Sequence, residues 1–276
     1  MKGNRLLKFK IFLNEILNQA ANYIIQFSKI FSFNRHLLKR NKSLKNILQN
    51  ESGVIVANGP SVDEIDLKLL KGKNLFFMNR GFKHKDYEYL QPNFHFIIDE
   101  KLNSGIWPIS FIDTIFELNP NVKLFLNHKW CNEEKFYKFS KKYPNQIFWI
   151  DTRLFFTRFH NNRKIDLTKV TYGNAVSGAA LSSAIYMGLS DISFIGQDLN
   201  GLCYELTDKK SHFYGDNFEN KSKTIDNIIE DLLSMSISIR NWSNIISYCN
   251  KKNIKIFNLS ESGLFSLLTD FRKINK

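Results

Sequence analysis

The sequence predicts an α/β protein with a mostly parallel sheet flanked by helices and a helical extension at its N-terminus. From residue 53 onward, short apolar segments alternate with turn residues and helical stretches, which is the rhythm of a parallel sheet. The 276 residues are 43% hydrophobic and 14% aromatic, so the chain can bury one large core. We therefore expect one large domain over residues 51–276 that follows an extension of residues 1–50.

The extension of residues 1–50 is strongly basic and has an amphipathic pattern. It carries ten Lys or Arg against the single acid Glu15, which gives +9 of the net charge of +13. Segment 6–31 places apolar residues at spacings typical of one helical face, while polar residues interrupt any run that could span a bilayer. These apolar residues are Leu6, Leu13, Leu17, Ala20, Ile24, Phe27 and Phe31.

Two interpretations of this extension stay open. It is either a helical hairpin packed on the body, or a basic amphipathic anchor through which residues 1–45 contact an anionic membrane surface. We do not expect a nucleic-acid partner, because neither interleaved exposed aromatics nor a recognisable nucleic-acid module accompanies the basic residues.

Cysteine usage indicates a reducing compartment. Cys131, Cys203 and Cys249 are odd in number and lack metal-ligand spacing, so we expect neither a disulfide framework nor a zinc site. Amide side chains break the apolar stretch of the N-terminus too often for a secretory signal. We therefore expect a cytoplasmic protein, which the anchor interpretation would place at the inner face of the membrane.

The periodicity of the body predicts seven strands and five helices. The predicted strands are Val54–Ala57, Asn74–Met78, His95–Ile98, Val122–Leu126, Ile147–Ile150, Ile192–Ile195 and Lys255–Asn258. The predicted helices are Val62–Leu70, Ile109–Leu118, Glu133–Tyr143, Ala175–Met187 and Ile225–Asn250. Residues 151–172 and 201–223 fit neither pattern, and such long irregular segments are usually lids or substrate loops, so we expect a lid around residues 200–224.

The first predicted strand runs into the turn Asn58-Gly59-Pro60-Ser61. In an open α/β sheet, ligands bind at the carboxyl ends of strands, and a glycine there lets backbone amides approach a phosphate at a helix N-terminus. Ser61 could cap the following helix, and Glu64 three residues on would complete a capping box. The turn therefore indicates a Rossmann-like nucleotide site, or an ordinary strand–turn–helix junction.

Two further strand ends carry polar side chains. The second predicted strand ends in Asn79-Arg80, which offer an amide to a base or sugar edge and a cation to a phosphate, or simply form a solvated turn. The third ends in Asp99-Glu100, where a carboxylate could orient a ribose, a sugar or a metal ion, or only cap the next turn.

The longest motif joins a small-residue helix to the sixth strand. Asn174 is a candidate N-cap, and Gly178 would let the helix lie close to the sheet or a ligand just after Ser177. The strand that follows ends in Gly196-Gln197-Asp198, so Asp198 is expected at the ligand-binding edge.

One histidine has neighbours that suit acid–base chemistry. His212 lies in Ser211-His212-Phe213-Tyr214-Gly215-Asp216, and imidazole titrates near neutrality, so it is a candidate general acid or base. A surface histidine would produce the same local pattern. We expect the other five histidines to be structural or solvated.

Taken in chain order, these motifs resemble the bacterial sialyltransferases that use CMP-sialic acid, over roughly residues 53–260. The resemblance rests on Asn58-Gly59-Pro60-Ser61, Asn79, Ser177-Gly178, Gly196-x-Asp198 and Ser211-His212-Phe213-x-Gly215. The motifs are equally similar to the motility-associated flagellin glycosyltransferases, and closer at Gly196–Leu199 and Phe257–Gly263. Those glycosyltransferases share a domain with archaeal 6-hydroxymethylpterin diphosphokinases of the MptE-like type.

The resemblance implies a single-domain GT-A-like variant of the Rossmann-like fold, a nucleotide-activated sugar donor and a glycan or glycoprotein acceptor. The sialyltransferases carry a general-base histidine where this chain has Asp216, so the resemblance leaves the base open between His212 and Asp216. We predict catalytic roles for His212, Asp216 and Asp198. The predicted nucleotide-binding residues are Asn58, Gly59, Pro60, Ser61, Asn79, Arg80, Asp99, Asn174, Ser177, Gly178, Gly196, Tyr204 and Tyr214.

Three functions are consistent with the sequence. The leading one is transfer of a sugar, such as sialic acid or another nonulosonic acid from its CMP derivative, to a cell-surface glycan or protein, with no metal and no further cofactor. The second is ATP- and magnesium-dependent diphosphate transfer to a hydroxymethylpterin-like alcohol, with Asp99 and Asp198 holding the metal ion. The third is a non-catalytic module that docks on a membrane. The sequence is compatible with a monomer or a homo-oligomer.

Overall fold

The computed structural model describes residues 5–28, 34–159, 164–173, 175–207, 209–215 and 224–274. Within these ranges the chain forms one eight-stranded sheet with helices on both faces, and every strand pair is parallel. The strands are β1 (Ser52–Val56), β2 (Asn74–Met78), β3 (Phe94–Ile97), β4 (Lys123–Asn127), β5 (Ile147–Ile150), β6 (Asp191–Ile195), β7 (Lys255–Asn258) and β8 (Asp270–Phe271). The predicted α/β fold and all seven predicted strands are confirmed, and β8 is an addition.

The α-helices lie before β1 and in most of the connections between strands. They are α1 (Arg5–Ser28), α2 (Arg35–Lys39), α3 (Tyr87–Leu90), α4 (Glu100–Asn103), α5 (Phe111–Leu118), α6 (Glu134–Lys142), α7 (Val176–Tyr186), α8 (Gly201–Leu206) and α9 (Ile225–Lys251). Four of the five predicted helices correspond to α5, α6, α7 and α9.

The predicted helix Val62–Leu70 is wrong. The chain there makes two 3₁₀ turns, Pro60–Glu64 and Leu67–Leu70, separated by an extended Ile65. Leu67 and Leu70 are both buried and lie three residues apart, which is the period of a 3₁₀ turn as well as one of the spacings on an α-helix face. Apolar spacing alone therefore does not distinguish these 3₁₀ turns from an α-helix.

The sheet order is β5-β4-β3-β2-β1-β6-β7-β8, so β1 is a central strand at which the direction of chain progression reverses. From β1 the chain adds strands on one side as far as β5, and then crosses to the other side of β1 with β6. Loops that leave β1 and β6 therefore diverge from two adjacent strand ends. Such a switch point opens a crevice at the carboxyl edge of a parallel sheet.

The two faces of the sheet have separate hydrophobic clusters. Alternate residues of β1, such as Val54 and Ile55, belong to opposite clusters, as expected for a strand buried on both faces. On the face covered by α7, phenylalanine rings stack along the sheet, with centroids 4.6 Å apart for Phe76–Phe94 and 4.4 Å for Phe96–Phe125. Because α7 presents mostly Ala and Ser, the large rings fill the space beneath it.

Helix α1 packs on the body through its polar residues. The Asn22 amide donates to Phe155 O over 2.8 Å and accepts from Phe155 N over 2.9 Å. Glu15 is 2% exposed and accepts hydrogen bonds from Arg158 N and from the Asn244 amide of α9. Helix α1 therefore packs on the body, and the side of α1 that faces the body is largely polar. Among the described helices, none combines the length and apolarity that crossing a bilayer requires.

Candidate functional site

The candidate site lies at the carboxyl edge of the sheet, where the chain leaves β1 and β6 side by side. The ladder continues past both strands, with Ala57 N donating to Ile195 O and Gly59 N to Gly196 O, each over 2.8 Å. Gly196 has φ +76°, and a Cβ on it would lie 2.7 Å from Ala57 O. A left-handed backbone in such close contact requires glycine at this position.

Ser61 and Asp198 join the two loops. The Asp198 carboxylate, 5% exposed, accepts from Ser61 N over 3.2 Å and from the Ser61 hydroxyl. Ser61 Oγ in turn accepts from Gly196 N over 3.1 Å. Burial raises the pKa of Asp198 above its ordinary value, although the two hydrogen bonds from Ser61 oppose that rise. The predicted acid at the edge is thus present, and it holds the turn after β1 in place.

The predicted capping box of Ser61 and Glu64 is wrong. Ser61 points to Asp198 instead of capping a helix, and Glu64 accepts from Ser260 Oγ over 2.6 Å. A hydroxyl bound to a buried carboxylate makes a stronger hydrogen bond than one bound to a backbone amide, which explains the preference.

Amide oxygens without a protein partner line this edge. Among the described residues, buried Oδ1 atoms of Asn58, Asn79, Asn200 and Asn258 accept no hydrogen bond. Asn58, Asn79 and Asn258 stand at or just after the ends of β1, β2 and β7, and Asn200 lies in the loop after β6. Sequence reasoning did not single out Asn200 or Asn258 as site residues, although an asparagine repeated at strand ends is a signal that could have found them. Because a buried unsatisfied acceptor is costly, these oxygens are suited to a ligand that donates hydrogen bonds.

Two buried side chains, His95 and Tyr87, form a chain of hydrogen bonds that ends at the backbone of Asn79. Asn79 has φ +46°, in the left-handed region, and its backbone carbonyl oxygen lies 2.9 Å from His95 Nε2. His95 Nδ1 lies 3.0 Å from the Tyr87 hydroxyl. Complete burial lowers the pKa of His95 to about 4, so the ring is neutral at neutral pH, with Nε2–H donating to Asn79 and Nδ1 accepting from Tyr87. We expected His95 to be structural or solvated, and the structure shows that it positions the site residue Asn79.

The segment of residues 211–215 lies against the turns after β1 and β2. Phe213 N donates to Asn58 O over 3.0 Å. The Arg80 guanidinium lies 4.4 Å from the centroid of the Tyr214 ring. The His212 ring also stacks on Tyr214, with 4.9 Å between the two ring centroids. Ser211 Oγ lies 3.1 Å from His212 Nδ1. The structure therefore brings Tyr214 together with Arg80 and His212, and it places the adjacent Phe213 against Asn58.

Other predicted site residues have different surroundings. Asp99 accepts from Lys101 N over 3.0 Å and caps α4, which is the alternative that the sequence left open. Gly178 lies in the first turn of α7 next to the buried Ser177, and a Cβ on it would lie 2.7 Å from Gly173 O, so its close approach is to the chain itself. Tyr204 lies half-buried in α8.

Two predicted residues, Asn174 and Asp216, lie outside the described residues, as does part of the predicted lid. Their roles stay predictions. In the part of the chain that the structure describes, no three His, Cys, Asp or Glu side chains come close enough together to hold a metal ion.

Several solved structures are similar to this chain. The sialyltransferase CstII from Campylobacter jejuni, in complex with the substrate analogue CMP-3FNeuAc, is 16% identical with a TM-score of 0.46, covering 82% of this chain and 87% of that chain. The sialyltransferase CST-II in complex with a trisaccharide acceptor and CMP is 17% identical with a TM-score of 0.46, covering 82% and 88%. Monomeric CstII is 17% identical with a TM-score of 0.42, covering 79% and 85%. No curated protein matches the chain.

The family comparison covers well over half of the chain. Residues 22–202 match the model of the 6-hydroxymethylpterin diphosphokinase MptE-like family. The matched range contains β1 to β6, the turn Asn58–Ser61, Asn79 and Asp198, so it includes both sides of the switch point. The chain therefore belongs to the 6-hydroxymethylpterin diphosphokinase MptE-like family.

Proposed function

We propose that this protein is a glycosyltransferase that moves a sugar from a nucleotide-activated donor to a hydroxyl of a glycan or glycoprotein. The observation that carries the proposal is the row of unsatisfied amide oxygens beside Arg80 and the His212–Tyr214 pair. Amide oxygens accept from the exocyclic amine of a base and from sugar hydroxyls, whereas a phosphate offers them nothing to accept. Arg80 is the cation that would face the phosphate.

The amide acceptors are neutral, and this supports sugar transfer over magnesium-dependent diphosphate transfer. A triphosphate with magnesium requires carboxylates that are open to the metal ion. Both oxygens of Asp198 accept hydrogen bonds from Ser61, whereas Asp99 accepts from Lys101 N through Oδ1 alone, so the two carboxylates are not equally open to a metal ion. Neutral amides at the site edge favour a nucleoside and a sugar instead.

The residues present support a balanced transfer step. In the tautomer whose Nδ1–H donates to Ser211 Oγ, Nε2 is the basic nitrogen of the His212 ring. That nitrogen would take the proton of the acceptor hydroxyl while its oxygen bonds to the anomeric carbon and the bond from that carbon to the phosphate oxygen breaks. The nucleotide leaves with the bonding electrons. Asp198 acts by positioning Ser61 and its turn, and Asp216 is the alternative base.

The motif resemblance to sialyltransferases leads us to propose CMP as the nucleotide and a nonulosonic acid as the sugar. The acceptor would belong to the cell surface, as a glycan or a protein, and the enzyme would work in the cytoplasm. The amines and hydroxyls of cytidine and of such a sugar are the donors that the Asn58 and Asn79 oxygens lack.

The test measures binding of CMP and a CMP-linked nonulosonic acid by thermal shift and calorimetry, with EDTA or with magnesium. Asn79→Gly removes the amide but keeps the left-handed backbone available, so we expect about 3- to 10-fold weaker binding from one lost hydrogen bond. Asn50→Gly is the matched control, because Asn50 is also left-handed (φ +64°) but lies exposed before β1. Equal binding by both variants would contradict the proposed site.

Diphosphate transfer from ATP to a hydroxymethylpterin-like alcohol is the second candidate, and the family description favours it. It predicts stabilisation by ATP only with magnesium, and none by CMP. If neither nucleotide binds, the third candidate, a non-catalytic module that docks on a membrane, gains support.

A further inference from the structure

Helix α1 is inverted relative to an ordinary amphipathic helix of a globular protein. Glu15 and Asn22 face the body, where Glu15 accepts from the Asn244 amide and lies 3.8 Å from Arg240 Nε. Asn22 pairs with both backbone groups of Phe155. Besides the apolar contact of Ile25 with the core, the buried side of α1 thus makes hydrogen bonds where a core-facing helix usually makes apolar contacts alone.

The opposite side of α1 is apolar and exposed. Phe9 is 59% exposed, Leu17 59% and Ile24 70%, and their spacings of eight and seven residues put them on one helical face. Leu13 and Ile16 share this face at 44% and 40% exposure. Five large apolar side chains in one row are more than isolated surface residues and indicate an interaction surface.

Helix α9 lies next to α1. Ile11, on the side of α1 opposite Phe9, and Leu232 of α9 line a groove between the two helices. Leu233 of α9 is 61% exposed. We call the outward face of α1, from Phe9 to Ile24, the α1 face.

The charges around the α1 face identify its partner. Glu15 is the only acid in the first 50 residues, and it is buried against the body, so it does not reduce the positive charge on the outside. The exposed charged residues of α1 are all cations: Arg5, Lys8 and Lys10. A second copy would bring the same positive charge against itself, whereas anionic lipid headgroups would be attracted to it.

We propose that the α1 face docks the protein on an anionic lipid surface, with the apolar row in the boundary between headgroups and acyl chains and the cations against the headgroups. The polar contacts of Glu15 and Asn22 hold the helix parallel to the surface of the body, which leaves its apolar row free to enter the lipid. The proposal is independent of the chemistry at the carboxyl edge of the sheet.

The experiment is sedimentation of the full chain with vesicles of pure phosphatidylcholine and with vesicles that also contain phosphatidylglycerol. We expect strong binding only to the anionic vesicles, weakened by salt. The double variant Leu17→Glu with Ile24→Glu should bind at least about 100-fold more weakly, since two apolar side chains lose their burial. Melting temperatures will show whether the variant is folded, and both positions are exposed, so folding should survive.

The matched control is Leu69→Glu with Ile106→Glu. These exposed side chains receive the same two charges, but they belong to segments that pack on the opposite face of the sheet. We expect this control to bind vesicles like the unchanged protein. No binding by the unchanged protein, or equal loss in the control, would overturn the proposal. It would also be overturned if Leu17→Glu with Ile24→Glu dissociated an oligomer and vesicles bound neither form.

Discussion

Replacing Gly59 by alanine tests whether the close contact of the two loops forms the site. Gly59 has φ −66° and ψ 159°, which any residue can adopt, so the change acts only through the added methyl group. That Cβ would lie 2.6 Å from Gly196 O and would also contact the Asp198 carboxylate. Because a backbone oxygen and a hydrogen-bonded carboxylate cannot move cheaply, the turn must shift as a whole.

Inserting one methyl group into such a packed contact costs about 1–3 kcal/mol of folding free energy. For a chain of this size, that loss lowers the melting temperature by roughly 2–10 °C. The shift of Asn58 and Ser61 should also weaken nucleotide binding by more than the 3- to 10-fold expected for a single hydrogen bond.

The assay is a thermal melt with and without CMP, followed by calorimetric titration. Gly201→Ala is the control, since a Cβ there meets nothing within 4 Å and the residue begins α8. We expect this control to keep its melting temperature and its affinity. A Gly59→Ala protein that melts within about 1 °C of the unchanged protein and binds CMP equally well would refute the proposed role of the contact.

Three further outcomes are expected. The native pKa of His95, about 4, lies below the value of about 6.5 of an unfolded histidine, so the unfolded state binds the proton first as the pH falls. Urea unfolding should therefore show about 3 kcal/mol less stability at pH 4 than at pH 7 from this group, and an unchanged pH dependence in His95→Gln would contradict it. Glu15→Ala removes the carboxylate that accepts from the Asn244 amide, so we expect the free energy of unfolding to fall by about 1–3 kcal/mol. Proteolysis within α1 should become faster, and a helix that stays resistant would count against the contact. Arg80→Lys should weaken CMP binding, because the planar stack of the guanidinium on Tyr214 is lost. Arg40→Lys is the control: it loses a similar stack on Phe148 and should bind CMP normally in the same titration. Equal weakening in both variants would contradict a local effect.

The sheet could be predicted from the sequence because its strands are buried on both faces. Such strands are continuous apolar runs, and those of β2 and β4 stand between clear turn residues. The two-residue strand β8 offers no such run, because Asp270 and Phe271 are both exposed. The helix over Val62–Leu70 was predicted wrongly because local spacing does not distinguish a 3₁₀ turn from a longer helix.

The position of the site could be predicted, but several of its contacts could not. Strand ends on one edge of a parallel sheet must meet, so Asn58, Asn79 and Asp198 were expected near each other. The hydrogen bonds between Ser61 and Asp198 join residues 137 positions apart, and the local sequence favoured a helix cap for Ser61 instead. Tertiary contact with a buried carboxylate overrode that local preference.

The orientation of α1 also could not be read from the pattern. Periodicity shows that a helix has an apolar and a polar face, but it does not show which face contacts the body. The decisive partners, Phe155, Arg158 and Asn244, lie far along the chain.

The central position of β1 has a consequence for how the chain is made. β1 can pair with β2 soon after synthesis, but its other neighbour, β6, leaves the ribosome about 140 residues later, which at about 5–20 residues per second is roughly 7–30 s. During that interval one edge of the strand between Ser52 and Val56 has no neighbour for its N–H and C=O groups. An open apolar strand edge is a site of aggregation. A nascent chain that stalls before Asp191 is therefore expected to need chaperone protection, whereas one that has passed Ile195 can close the sheet.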